Sequence, residues 1–195
     1  MTGARRELAD LLLTPDDAGA MESHAGVEAA VLVPVFGWPE RPGVIFTERR
    51  ADLRSHAGEI SFPGGRVDPE DADLVATALR EAEEEIGLEP AAVDLQGALP
   101  PTSTFATGYR IHPFVGLIPP LEDLDLTPSP DEVETVLALD LDVLERGYEI
   151  RRLVRRGTAI HTPTYEVEGQ PLIWGATARI LGDLLERLAE DGRSG

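Results

Sequence analysis

The 195 residues carry 36 Asp and Glu against 17 basic residues, all of them Arg, for a formal charge of -19. So acidic a balance argues against a nucleic-acid partner, because phosphate backbones are met by basic surfaces. The absence of cysteine removes disulfide frameworks, thiolate nucleophiles and cysteine-based zinc sites.

With 42% hydrophobic residues the chain can build a core, and its length corresponds to one domain, taken as residues 1–195. Extreme acidity without Lys points to a halophilic, high-salt cytosol in which screening makes dense negative surface tolerable; a GC-rich genome favouring Arg codons would give the same composition. The apolar run at the N-terminus is too short for a signal peptide, and the longest apolar stretch, residues 29–36, is far below a membrane span. A cytoplasmic protein without a membrane partner is the expectation.

Residues 5–13 read as a short amphipathic helix with Leu8, Leu11 and Leu12 on one side, ended by Pro15, Asp16, Asp17 and Gly19. Residues 29–36, rich in β-branched side chains, read as a buried strand in which Pro34 marks a bulge or an edge. Residues 44–48 form the return strand. Arg49, Arg50 and Arg54 follow, a basic group unusual in this chain. Arg forks suit phosphate oxygens, although these side chains can equally pair with acidic neighbours. His56 stands in the same stretch, either as a phosphate donor or as a support for the turn that follows.

Residues 53–88 read as a strand end, a turn at Pro63, Gly64 and Gly65, and an amphipathic helix. Val75, Ala78, Leu79, Ala82 and Ile86 form one apolar stripe. Glu81, Glu84 and Glu85 converge on a second face, expected to be rotated away from the first. Asp71 or Asp73 caps the helix start, and Gly87 ends it. Three like charges at this spacing repel unless a cation is present, and hard divalent ions take oxygen ligands. A merely solvated acidic face is the plainer alternative. The two glycines let backbone approach a ligand closely, and Arg80, one turn before Glu84, can orient a carboxylate.

Beyond the helix, residues 95–99 and 111–118 read as strands around a polar loop, with Arg110 at the start of the second as either a substrate contact or an exposed edge residue. Residues 119–130, acidic and proline-rich, form a lid or a surface connection. A strand runs from residue 131 to 139, followed by a helical piece at 141–145 and a second basic group of Arg151, Arg152, Arg155 and Arg156. A strand pair at 160–167 and 172–174 turns at 168–170, and a C-terminal helix spans about 176–189, where Ile180, Leu184, Leu185 and Leu188 give core spacing.

The run Arg80-Glu81-Ala82-Glu83-Glu84-Glu85-Ile86-Gly87-Leu88 resembles the second half of the Nudix box, here spanning residues 65–88. The first half departs from the general pattern: Ala72 stands where a Glu precedes the Arg by eight positions, Asp71 is one step away, and the spacing from Gly65 is one residue longer. That longer form, with residues 53–65 before it and Gly108-Tyr109-Arg110 and residues 173–178 after it, resembles the coenzyme A pyrophosphatase branch. The resemblance implies an α/β fold, an α/β/α sandwich with a mixed sheet and the box helix on one side. It also implies Mg²⁺ or Mn²⁺ held by Glu81, Glu84, Glu85 and the Gly65 carbonyl, with Arg80 keeping the carboxylates in register. One of the box glutamates or Glu132, an acidic residue outside the box, would take the proton of the attacking water. Arg49, Arg54, His56 and Arg110 would meet the substrate, a small nucleotide of the coenzyme A type cut into 3′,5′-ADP and 4′-phosphopantetheine. The alternatives are an ADP-ribose or dinucleotide pyrophosphatase, or a binding protein without turnover, against which the intact glutamates count. An RNA cap hydrolase conflicts with the net charge. A homodimer is compatible with the sequence, which does not place its interface.

Overall fold

The computed structural model describes residues 7–21, 26–53, 58–104, 108–155 and 157–193. A mixed sheet is assembled from β1 (Val27–Phe36), β2 (Gly43–Arg49), β3 (Ile60–Ser61), β4 (Gly64–Arg66), β5 (Asp94–Ala98), β6 (Thr102–Ser103), β7 (Tyr109–Leu117) and β8 (Val133–Asp140). Its centre is the pair β1 and β7, the one parallel ladder, in register from Val27 opposite Tyr109 to Val35 opposite Leu117. The other pairings are antiparallel: β4 and β2 on the far side of β1, β5 and β6 on the far side of β7, and β3 and β8 on β2. A second sheet follows from β9 (Tyr148–Arg155), β10 (Thr158–Tyr165) and β11 (Ile173–Trp174).

The alternation of side chains along β1 and β2 divides the core in two. Ala30, Leu32 and Ile45 face one way and pack on Ala78, Ala82 and Ile86 of α2 (Leu74–Ile86), while Val33, Val35, Val44 and Phe46 face the other way towards Leu181 and Leu184 of α4 (Gly175–Arg193). Helices on both faces of a mixed sheet give the expected α/β/α sandwich. No helix among the described residues is long and apolar enough to cross a membrane.

Two local expectations are corrected. The N-terminal segment is not one helix: a 3₁₀ turn at Leu8–Leu11 gives way to α1 (Pro15–Ala20), because Thr14 accepts from the Asp17 N–H and Pro15 occupies the first turn, where no amide donor is needed. Pro15 therefore starts a helix where it was expected to end one. Pro34 lies inside the central strand and not at an edge. N–H groups alternate sides along a strand, and Leu32 donates to Pro63, so the donor that Pro34 lacks falls between the stretches paired to β4 and to β2. Of the second basic group, Arg151, Arg152 and Arg155 lie on β9, which pairs along its whole length with β10, and Arg156 lies outside the described residues.

Residues 121–126 send Leu121, Leu124 and Leu126 against the α2 side of the core. The connection between β7 and β8 is thus packed down, and α3 (Leu141–Arg146) follows β8 directly. Truncating Leu32, which is 0% exposed, should lower the unfolding free energy by about 2–5 kcal/mol. Urea denaturation of Leu32→Ala, with the slope unchanged, checks this.

Candidate active site

Helix α2 is placed by its two ends. Asp73 Oδ1 accepts from the Ala76 N–H at 2.8 Å, and Gly87 closes the helix at φ 70, in the left-handed region that favours glycine. The last carbonyls do not face solvent. Glu85 O accepts from Ser129 N at 2.8 Å and Ile86 O from Thr127 N at 2.9 Å, so the β7–β8 connection caps α2 and brings Glu132 to its side.

The box carboxylates occupy three different environments. Glu85 is only 3% exposed. It was expected on an acidic face away from the core; instead the sheet curls over it, and its Oε2 accepts from the Gly64 N–H at 3.2 Å while Oε1 lies 3.5 Å from Arg49 Nη1. Burial pushes its carboxyl up to about 7, against the opposing pull of the Gly64 amide and Arg49, with Glu81 and Glu132 adding to the rise. Glu81 is half-buried, and its carboxyl is raised by burial in the same way. Glu84 is the exposed member, with 60% of its side chain accessible.

Gly65 explains why this turn needs glycine. A Cβ there would lie 2.4 Å from the Glu81 carboxylate, and one on Gly64 would lie 2.3 Å from Ala30 O. Strand β4 is thereby pressed between β1 and α2, with its backbone against the acidic side chains.

Arg80 ties the group together. Its Nε and Nη2 donate to the two oxygens of Asp71 at 2.8 and 3.0 Å, its Nη1 lies 3.0 Å from both Glu81 Oε1 and Glu84 Oε2, and Nη2 also donates to Arg66 O at 3.2 Å. Asp71 additionally accepts from the Asp68 N–H and the Thr77 hydroxyl, which with Arg80 first among the causes hold its carboxyl well below the ordinary range. Sequence reasoning named Asp71 as a possible helix cap and gave it no part in the carboxylate group. Asp71 stands one step from the position where the general pattern has Glu, and the extra residue in the spacer was the signal.

Arg49 reaches the group, lying 3.5 Å from Glu85 Oε1 and 3.6 Å from Glu132 Oε2. Glu132 lies close enough to raise both Glu81 and Glu85. Arg50 turns away to Asp52 and the Pro130 carbonyl. Arg110 is not drawn into the group: on the central strand β7, it donates to Met21 O and pairs with Glu28, which also holds the buried His112. Arg54 and His56 lie outside the described residues. Among the described residues, no three His, Cys, Asp or Glu side chains are gathered closely enough to hold an ion as they stand; Arg80 sits between Glu81 and Glu84.

Comparison with known proteins assigns the class. The NUDIX domain model matches residues 27–156, and the chain belongs to the Nudix hydrolase family, which hydrolyses pyrophosphate linkages in nucleotide derivatives, generally with divalent ions such as Mg²⁺ or Mn²⁺. Among its relatives, the uncharacterized Nudix hydrolase NudL of Cronobacter sakazakii is 45% identical over 165 residues, covering 84% of this chain and 83% of the relative. NudL of Escherichia coli is 44% identical over 159 residues, 80% of each. Solved structures with the same fold include a MutT/nudix family protein from Enterococcus faecalis (TM-score 0.58, 13% identity, 87% of this chain and 64% of that one). Another is the NUDIX domain of Shewanella oneidensis NrtR in complex with ADP ribose (TM-score 0.56, 16% identity, 90% and 99%).

Two outcomes follow from this geometry. The folded state holds the Glu85 proton more tightly than the unfolded chain, so its stabilising contribution is complete below about pH 4.5 and is lost as pH rises towards about 7. In EDTA, the stability of Glu85→Gln relative to the parent should therefore climb across that window, as measured by urea unfolding at several pH values. Gly65→Ala should displace the Glu81 carboxylate and lower phosphohydrolase turnover by about tenfold or more while the protein stays folded by circular dichroism.

Proposed function

We propose that this chain hydrolyses the diphosphate linkage of coenzyme A or its derivatives, releasing 3′,5′-ADP and 4′-phosphopantetheine. The observation that carries the hydrolytic part is the buried Glu85 beside Glu81 at the Gly64–Gly65 turn, two carboxyls that desolvation raises in spite of Arg49 and Arg80 beside them. The coenzyme A part rests on the resemblance of residues 53–65, with the longer box spacing, to that branch.

The donor set fits a hard divalent cation. All its members are oxygens, Glu81, Glu84, Glu85 and the Gly65 carbonyl would hold Mg²⁺ or Mn²⁺, and the buried carboxylates would be ionised by its presence. Bound there, such an ion neutralises diphosphate charge and lowers the pKa of water. The chain's own residues do the positioning. Asp71 fixes the Arg80 guanidinium, and Arg80 in turn holds Glu81 and Glu84 within one turn of helix. Arg49 sets the separation of Glu85 and Glu132 and offers its guanidinium to a phosphate oxygen. The proton of the attacking water passes to Glu84 or Glu132, the two carboxylates that remain accessible, with 60% and 52% of their side chains exposed. Arg54 and His56 are proposed to meet the substrate, and Arg110 to act from the neighbouring strand end.

The test is product analysis by chromatography after parallel incubation with coenzyme A, ADP-ribose and NADH, with Mg²⁺ or Mn²⁺ at low and high salt. We expect 3′,5′-ADP from coenzyme A, a rate loss of about 100-fold or more in Glu84→Gln or Glu132→Gln, and higher activity at high salt if the acidic surface is an adaptation to it. Cleavage of ADP-ribose or NADH alone would retain the diphosphatase chemistry and overturn the substrate.

A further inference from the structure

The second basic group takes no part in the site above. Its strand, β9, forms with β10 a hairpin that concentrates apolar surface. Among the described residues, four of the seven large hydrophobic side chains that are exposed lie on it: Tyr148 at 52%, Ile150 at 52%, Val154 at 59% and Ile160 at 37%. The ladder pairs Tyr148 with Tyr165, Ile150 with Pro163, Arg152 with His161 and Val154 with Ala159. Side chains two apart share a face, so Tyr148, Ile150, Arg152 and Val154 form one outward stripe, with Ile160 on the other side.

The stripe has a charge gradient along it. At the tip end, Arg152 is exposed and has no ion pair or hydrogen bond from its side chain among the described residues, unlike Arg151 on the opposite face, which is held by Glu149 and Glu166. At the root end, the hairpin leans on α4 around an open cavity of about 580 Å³ whose lining includes Tyr148, Tyr165, three carboxylates, Glu145, Asp183 and Glu186, and one cation, Arg179. The Tyr165 ring is 1% exposed, and its hydroxyl donates no hydrogen bond among the described residues. Arg179 and Arg187 draw on Asp183 by their charge while their hydrogen bonds go elsewhere, Arg179 donating to Thr102 and to the Ser103 carbonyl and Arg187 to the Leu11 carbonyl, so the hollow keeps an excess of carboxylates. An apolar stripe of this kind on a highly charged chain marks a contact surface.

We propose that this face is the interface of a twofold dimer with a second copy of the chain. A twofold contact must be self-complementary, and this stripe is: carboxylates beside Tyr148 at the root, then Ile150, then Arg152 towards the tip with Val154 beyond it. Laying two hairpins antiparallel across the axis brings Ile150 against Ile150 and sets Arg152, four residues or about 13 Å from Tyr148, over the partner's Glu145, Asp183 and Glu186. The apolar centre and charged rim are the usual anatomy of such contacts. The complementary charge comes from within the same sequence, whose formal charge of -19 disfavours contacts that set acidic surface against acidic surface.

Sedimentation equilibrium of the full chain at moderate salt tests this, with circular dichroism to verify folding; Arg152 and Glu186 are exposed, so their variants leave the core intact. The parent should be dimeric, and Ile150→Asp, Arg152→Glu and Glu186→Arg should each raise the dimer Kd by about tenfold or more. The double variant Arg152→Glu, Glu186→Arg should return it to within about threefold of the parent. A parent that stays monomeric at about 100 µM, far above the Kd of a stable pair, overturns the proposal, as does a dimer indifferent to Ile150→Asp and Arg152→Glu. A double variant no tighter than its single variants overturns the pairing of Arg152 with the acidic hollow.

Discussion

The burial of Glu85 is the constraint on which the rest of the candidate site depends. A carboxylate that is 3% exposed cannot remain ionised without partners, and the Gly64 N–H and Arg49 supply only part of what water would. To bring that amide into reach, β4 must pass directly beneath α2, which is why neither Gly64 nor Gly65 has room for a Cβ. The same close approach lays Glu81 along the Gly65 backbone. One buried side chain thus fixes the height of the helix over the sheet.

Lateral position is set by different contacts. Ala78, Ala82 and Ile86 rest on Ala30 and Leu32 of the central strand, and the small alanines permit the helix to sit low. The β7–β8 connection caps the C-terminal carbonyls of α2 with Thr127 and Ser129, so the strand that begins at Val133 leaves from beside the carboxylates, and Glu132 arrives with it. Secondary structure, capping and site assembly are one arrangement here.

In a chain with about two acidic residues for every Arg, the few guanidinium groups near the site are shared. Arg80 serves Asp71, Glu81 and Glu84; Arg49 serves Glu85 and Glu132. Each planar fork can bridge carboxylates that would otherwise repel one another. The hairpin differs: among the described residues Arg152 has no ion pair or hydrogen bond from its side chain, while the hollow at the hairpin root gathers Glu145, Asp183 and Glu186 around Arg179.

The sequence by itself determined the elements with strong periodicity and a specific motif: the central strands, the box helix with Asp71 or Asp73 at its start and Gly87 at its end, and the run from Arg80 to Leu88 that marks the family. These are local properties, since a 3.6-residue stripe or a left-handed glycine is written within one stretch of chain. Tertiary structure decided which members of that run are buried. Helical spacing placed Glu85 with Glu81 and Glu84, and only the strand packed against α2 buries it while Glu84 stays exposed. It also decided the partners that lie far along the chain, with Arg49 spanning Glu85 and Glu132, and the fate of Arg110, engaged by Met21 and Glu28. Pairing over such separations depends on how the sheet is ordered, and no local pattern encodes that order.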